Sequence, residues 1–186
     1  MNVNRFTERA QEALVASQKL AEQHNNNQLE PEHLMLALLE QEGGVVPQII
    51  QKLGVSLPAL IQQFNKEVLR LPKVFGAQLY LSPRLKALLD TAEAEAGRLK
   101  DEYVSTEHLL IAATDDQDKG ATQRILREAG LNRERIYQVL TSIRGGQRVT
   151  DQNPEGKYQA LEKYGRDLTE MARKDKLDPV IGRDEE

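Results

Sequence analysis

The sequence predicts an all-α fold made of two tandem four-helix repeats. Two observations carry this. Apolar residues recur at three- and four-residue steps through most of the first 145 positions, the spacing that gathers them on one face of a helix. The stretch EPEHLMLALL (30–39) also returns as STEHLLIAAT (105–114), so that Glu32, His33 and Leu34 are matched 75 positions later by Glu107, His108 and Leu109. Self-similarity at a fixed period marks a repeated structural unit.

Each helix of the first unit has its own signals. The first follows Thr7, whose hydroxyl can accept from the free N–H groups of the first turn. In TERAQEALVASQKLAEQ, Ala10, Ala13, Leu14, Ser17 and Ala21 share a face. The second begins at Pro31, a residue suited to the first turn because the N–H it lacks has no intrahelical partner there, and ends before Gly43-Gly44. The third runs from about Val46 to Leu53 and stops at Gly54, where a left-handed residue costs glycine little. The fourth starts at Ser56 and reaches about Leu69.

The second unit repeats these signals. Ser82-Pro83 stands for Thr7-Glu8, Arg84 for Arg9, Leu89 for Leu14 and Ala96 for Ala21. Ser105 caps the helix of Glu107 and His108, where Ile111 and Ala112 match Leu36 and Ala37. One inserted residue moves the offset to 76, after which Ile125, Gly130, Leu131, Asn132 and Ile136 match Ile49, Gly54, Val55, Ser56 and Leu60. Repeat one spans 1–73 and repeat two 79–145; packing one on the other buries more apolar surface than either could alone. The connector LRLPKVFGAQLY (69–80) is too apolar for a free linker and is expected to lie against the helices. RGGQRVTDQNPEG (144–156), with three glycines, reads as a break, so 146–159 is expected to be a flexible linker giving the domain rigid-body freedom. Beyond it, KYQALEKYGRDLTEMARKDKL has a helical pattern interrupted at Gly165, and residues 160–186 hold too few apolar side chains to fold alone.

Composition excludes several classes. Apolar residues make up 39%, charged residues 29% and the net charge is −4, which suits a soluble globular protein and not a basic nucleic-acid binder. The absence of cysteine excludes disulfides, thiolate metal sites and a cysteine nucleophile and fits a reducing compartment. MNVNRFTERAQ has no signal-peptide core, and the longest clear apolar run, LMLALL (34–39), falls far short of the roughly 20 residues of a membrane span. A cytoplasmic protein without a membrane or nucleic-acid partner is expected.

The chemistry-bearing residues point the same way. His24, His33 and His108 include no two within four positions, so the helical metal pair is missing and no metal is expected. Glu32 and Glu107 fall in first turns, where the helix dipole favours a carboxylate. Two glutamates could serve glycoside hydrolysis, but nothing else in the sequence accompanies a sugar site. The nucleophile elbow GxSxG is absent. The one Gly-Lys step, Gly156-Lys157, is followed by Tyr158 and has Asp151 where a phosphate loop needs glycine. No catalytic residue and no bound cofactor are expected in this chain.

The double repeat, the RGG junction and above all ALEKYGRDLTEMARKDKLDPVIGRDEE (160–186) resemble the ClpB-type disaggregases, of the Clp branch of AAA+ ATPases. QEGG (41–44) and LRLP (69–72) favour that type over the protease-coupled relatives. The resemblance covers the whole chain. It implies a pseudo-twofold Clp N-terminal domain over 1–145, the linker 146–159, and over 160–186 the truncated start of the first ATPase domain. Asp175 departs from the family, which usually has glycine there. The implied full-length parent is a homohexameric chaperone that uses ATP and magnesium and works with a DnaK-type partner to disaggregate and refold stress-denatured proteins. The implied role of this chain, as a monomeric fragment, is to bind unfolded or aggregated polypeptide. The polar set linked to that role matches Thr7, Asp101 and Glu107, and Val180 and Ile181 match residues lining the adenine pocket of the parent. Read from the residues alone, Thr7 is also an ordinary helix cap, Asp101 a solvated charge before a helix, and Leu14 and Leu89 core. The helix starts are expected to line a concave seam with outward carboxylates. Docking of a folded adaptor, as in protease-coupled relatives, and an independent small hydrolase are the competing functions.

Overall fold

The computed structural model describes residues 3–115 and 119–155; Gly165, Asp175, Val180, Ile181 and the rest of 156–186 lie outside the described residues. Among those described, a 3-10 turn at Val3–Arg5 precedes eight α-helices. The first unit holds α1 (Glu8–Gln23), α2 (Pro31–Leu39), α3 (Val45–Lys52) and α4 (Leu57–Arg70). The second holds α5 (Pro83–Arg98), α6 (Thr106–Ala113), α7 (Ala121–Glu128) and α8 (Arg133–Arg144). Two short strands, β1 (Gln28–Leu29) and β2 (Tyr80–Leu81), lead into α2 and α5.

The expected caps are made in matched pairs. The Thr7 hydroxyl accepts from the Ala10 amide at 3.2 Å and its counterpart Ser82 from Leu85 at 3.0 Å. Ser56 accepts from Ala59 at 3.3 Å and its counterpart Asn132 from Arg135 at 2.9 Å. Gly54 and Gly130 close α3 and α7 at φ +75° and +86°. An added Cβ at Gly54 meets nothing within 4 Å, so only backbone strain opposes a side chain there. Gly54→Ala is expected to cost about 1–2 kcal/mol, read as a shift of the urea midpoint with an unchanged slope.

The central helices α2 and α6 are buried on all sides, which their all-round apolar composition requires. Each packs on the long first helix of its own unit, and each also reaches across: α2 meets α7, and α6 meets α3. Phe6, Phe64, Leu34, Leu36 and Ile49 are among the fully buried side chains of the shared core. The pairing of the strands shows the pseudo-twofold relation. At the first seam Leu29 pairs with Leu81 in parallel, and at the second Val104 pairs in parallel with Phe6. Each residue of one pair lies 75 positions from a residue of the other.

The connector lies against the turn between α1 and β1, and does so through its main chain rather than through the apolar side chains its composition offers. Val74 donates its amide to the Asn25 carbonyl at 2.8 Å, Tyr80 to Asn27 at 3.0 Å, and the Asn26 side chain donates to the Pro72 carbonyl at 3.0 Å. Val74, Phe75, Tyr80 and Leu81 remain exposed, Phe75 at 75%, because hydrogen bonds rather than apolar burial hold this run. Of the segment expected as linker, 146–155 is described, and its latter part is seated on the domain. Val149 is fully buried. Its carbonyl accepts from the Glu102 amide at 2.7 Å, and the Gln152 carbonyl accepts from Glu8 at 2.8 Å. Among the described residues no helix is long and apolar enough to cross a membrane.

Candidate functional site

The repeated Glu-His-Leu occupies the second to fourth positions of α2 and α6. The histidine closes the helix start. His33 Nδ1 accepts the Glu30 amide at 2.9 Å and His108 Nδ1 accepts the Ser105 amide at 2.8 Å, so each ring takes the part that glutamate or glutamine plays in a capping box. Because Nδ1 accepts, the neutral His33 ring carries its proton on Nε2, which donates to Asn26 Oδ1 at 2.8 Å. Burial, opposed in part by the Glu32 charge and reinforced by His24, lowers the His33 pKa to about 4. The leucines that follow are core.

The two seams then differ. At the first, Glu32 is buried. Its Oε2 accepts from Arg84 Nη2 at 2.8 Å, from the Thr122 amide at 3.1 Å and from the Thr122 hydroxyl at 2.7 Å. Arg84 crosses so close over Gly120 that an added Cβ would stand 2.1 Å from the guanidinium. At the second seam Asp101 takes the place of Asn26. Its Oδ2 meets His108 Nε2 at 2.7 Å and Arg144 Nη1 at 2.9 Å, and its Oδ1 accepts the Val149 amide at 2.9 Å. Burial pushes the Asp101 carboxyl up, but the hydrogen bonds from His108 and Val149 and the Arg144 charge outweigh it and hold the pKa below the usual value.

Arg144 also clamps Glu107, donating from Nε at 3.1 Å and Nη2 at 2.8 Å to Glu107 Oε2. A third carboxylate lies beside it. Glu155, 1% exposed, accepts the Thr7 hydroxyl at 3.0 Å and the Thr106 amide at 3.3 Å on its Oε2. The Oε1 atoms of Glu107 and Glu155 are both buried without a hydrogen-bond partner. Burial first, and the neighbouring Glu107 charge second, push the Glu155 carboxyl up to about 7.

The structure therefore brings Thr7, Asp101 and Glu107 together, and corrects their expected orientation. All three are buried, so the seam carboxylates point inward, and Asp101 is not a solvated charge. The reason is Arg144, which gives both acids a partner inside. Sequence reasoning missed Arg144 and Glu155, since an arginine in the last turn of a helix reads as a solvated complement to the helix dipole and Glu155 as part of a polar linker. Among the described residues no group of His, Asp and Glu is placed to hold a metal ion.

A separate open groove of about 560 Å³ runs between α5 and α6. Ala87, Leu88, Thr91 and Ala112 line it, with Arg84, Asp115 and Lys119 supplying charge. Between α1 and α2 the positions 75 earlier, Glu12, Ala13, Ala16, Ala37 and Glu40, line a smaller groove of about 390 Å³. Duplication has produced two grooves, and the second carries the larger apolar side chain, Leu88 against Ala13.

Known proteins share this construction. The family model described as the Clp repeat (R) N-terminal domain matches residues 5–129. The chain is 48% identical over 185 residues to chaperone protein ClpB 2 of Synechocystis sp., covering 98% of this chain and 21% of that one. It is 49% identical over 187 residues to ClpB 2 of Nostoc sp., covering 100% and 21%. The chain thus spans about a fifth of the length of these relatives. Among solved structures, the Hsp104 N-terminal domain from Candida albicans superposes with a TM-score of 0.70 at 23% identity, over 81% of this chain and 98% of that one. The ClpV N-domain in complex with a VipB peptide superposes with a TM-score of 0.62 at 18% identity, over 75% and 86%. The unit written twice in the sequence is the Clp repeat, and the chain belongs to the Clp N-terminal domain family.

Proposed function

We propose that this chain is the substrate-recognition module of an ATP-dependent ClpB-type chaperone and that it binds unfolded or aggregated polypeptide. The groove between α5 and α6 carries the reading. Its apolar side chains can take aliphatic or aromatic groups from an unfolded chain, and its arginine, aspartate and lysine keep the surface soluble when nothing is bound. Such concave apolar surfaces with a few polar groups are the usual ligand-binding places of a domain. A groove open along its length makes small contacts that break quickly, as a module that hands its substrate on requires. Disaggregation and refolding, the hexamer, the DnaK-type partner, and the use of ATP and magnesium belong in this reading to the full-length parent, in the cytoplasm. The chain itself supplies binding and no catalysis. Thr7, Asp101 and Glu107 are proposed as a polar contribution to recognition at a second place, the α1–α6 seam, where they are buried.

Amide chemical-shift mapping against a permanently unfolded polypeptide, such as reduced and carboxymethylated α-lactalbumin, tests the reading. Shifts are expected around Leu88, Thr91 and Ala112, at weak affinity that added salt changes little. An absence of shifts at high ligand excess, together with retention of one folded partner from a lysate, would establish adaptor docking in its place.

A further inference from the structure

We propose that residues 149–155 form a latch on the seam between α1 and α6, occupying it in cis, and that Thr7, Asp101 and Glu107 become available to a substrate only when the latch lifts. This rests on the polypeptide-binding reading above and adds its regulation.

The pseudo-twofold relation shows how the latch arises. At the first seam one continuous run does all the edge pairing. Pro72 and Val74 bond to Asn26 and Asn25, and the chain then continues into Tyr80–Leu81, which pair with Gln28–Leu29. At the second seam the same work is divided between two distant pieces. Arg5 and Thr7 bond to Val104 at 2.8 and 2.9 Å, while Val149, from beyond α8, bonds to Asp101 and Glu102. From Val149 the chain passes Gln152, whose side chain donates to the Asn4 carbonyl at 3.0 Å, and reaches Thr7, the counterpart of Ser82, at Glu155. The connector is anchored between α4 and α5. Residues 149–155 leave α8 and run across to the start of α1. Only side chains and a few main-chain bonds hold them.

Those contacts are weak by construction. Two apolar side chains, Val149 and Pro154, are buried, and the far end sets Glu155 against Glu107 with an unsatisfied buried oxygen on each. A buried acceptor without a donor, next to a like charge, costs stability. The groups facing Glu155 are Glu107 of α6, Thr7 at the start of α1 and Thr106; Arg144 of α8, with Asp101 and His108 behind it, is already engaged by Glu107. The seated carboxyl holds its proton to about 7 against an ordinary 4.5. Seating is therefore strongest below 4.5 and weakens as the pH rises towards 7. Opening uncovers Thr7 and the free oxygen of Glu107 together.

The test uses the full chain and two variants with opposite expected effects. Hydrogen exchange is followed at the Glu8 and Glu102 amides, which donate to the seated segment, with amides of α2 and α6 reporting the fold. Binding of reduced, carboxymethylated α-lactalbumin is measured in parallel at pH 7.5. Val149→Asp, which places a carboxylate next to Asp101, should speed exchange at Glu8 and Glu102 about tenfold or more with the α2 and α6 amides still protected, and strengthen binding several-fold. Glu155→Gln, which removes the repulsion and offers Glu107 a donor, should slow that exchange and weaken binding. If V149D unfolds the domain, E155Q decides alone, and no change in either readout overturns the latch. The latch is also overturned if Glu8 and Glu102 exchange in the wild type at the rate of a free peptide, or if V149D frees them without a gain in binding by a wild type that does bind. If neither protein binds the probe while exchange shows a seated segment, the polypeptide-binding reading falls, and the gating role with it.

Discussion

Arg144→Leu is expected to cost about 3–5 kcal/mol of folding stability, which for a chain of this size lowers the unfolding temperature by roughly 10 °C. Leucine keeps most of the packing volume, so the loss is electrostatic. Arg144 is the cation that both Asp101 and Glu107 share inside the domain, at 2.9 and 2.8 Å, and its own side chain is 8% exposed. Without it, Asp101, Glu107 and Glu155 share one buried seam with no arginine between them. Breaking a buried ion pair by removing one partner leaves a charge that neither water nor protein compensates. The variant should meet this by protonating its acids, so its deficit should shrink between pH 7.5 and pH 5, measured by urea unfolding. Arg124→Leu is the control. Arg124 contacts Glu67 and Glu128 at 3.5 and 3.7 Å with half its side chain in solvent, and exposed pairs of this kind contribute about 0–1 kcal/mol. Equal costs for the two variants would show that Arg144 is a surface charge and that the seam acids find other partners.

The contrast between these arginines also marks what the sequence could reveal. Caps and stops are short-range features, so Thr7, Ser56, Ser82 and Asn132 were legible from their own neighbourhoods, as was the left-handed close at Gly54. Helix ends were less so. The sequence allows α2 to run towards Gly43, yet it ends at Leu39, the last residue of the LMLALL run, because Glu40, Gln41 and Glu42 have no core to enter. Thr7, Asp101 and Glu107 entered through the family resemblance and carry a proposed role, and nothing in the sequence showed their surroundings. Arg144 lies 37 positions from Glu107, and Glu155 lies 148 from Thr7; no helical period or motif joins residues so far apart. The duplication offers no help either. Glu32 and Glu107 are counterparts, yet Arg84 comes from the first turn of α5 and Arg144 from the last turn of α8. Each seam found its cation independently, and a repeat can only be used to transfer what both copies kept.

His33→Gln should change the shape of the pH–stability curve. In the folded domain burial holds the His33 ring neutral down to about 4, against an ordinary 6.5. Between those values the unfolded chain binds a proton that the folded chain refuses, so stability rises with pH across the window. The contribution is complete above 6.5 and is lost as the pH falls towards 4. Its size is about 2–3 kcal/mol after allowance for solvent screening. Glu155 has the opposite sign, since its seated carboxyl binds a proton near 7 and the unfolded one near 4.5; falling pH favours the folded chain there. Between 6.5 and 4.5 the two groups therefore oppose each other, and the wild type should show a shallow dependence. Glutamine at the third helical position can still accept the Glu30 amide, so H33Q keeps the cap and loses the titration. At pH 7.5 the variant should be less stable than the wild type by about 1 kcal/mol for the lost ring packing and the altered bond to Asn26. As the pH falls to 4.5 the Glu155 effect is left unopposed, and the variant should gain on the wild type until their urea midpoints meet or cross. Parallel curves over that range would mean that His33 takes up its proton as readily in the fold as outside it, which a ring held between the Glu30 amide and Asn26 has no room to do.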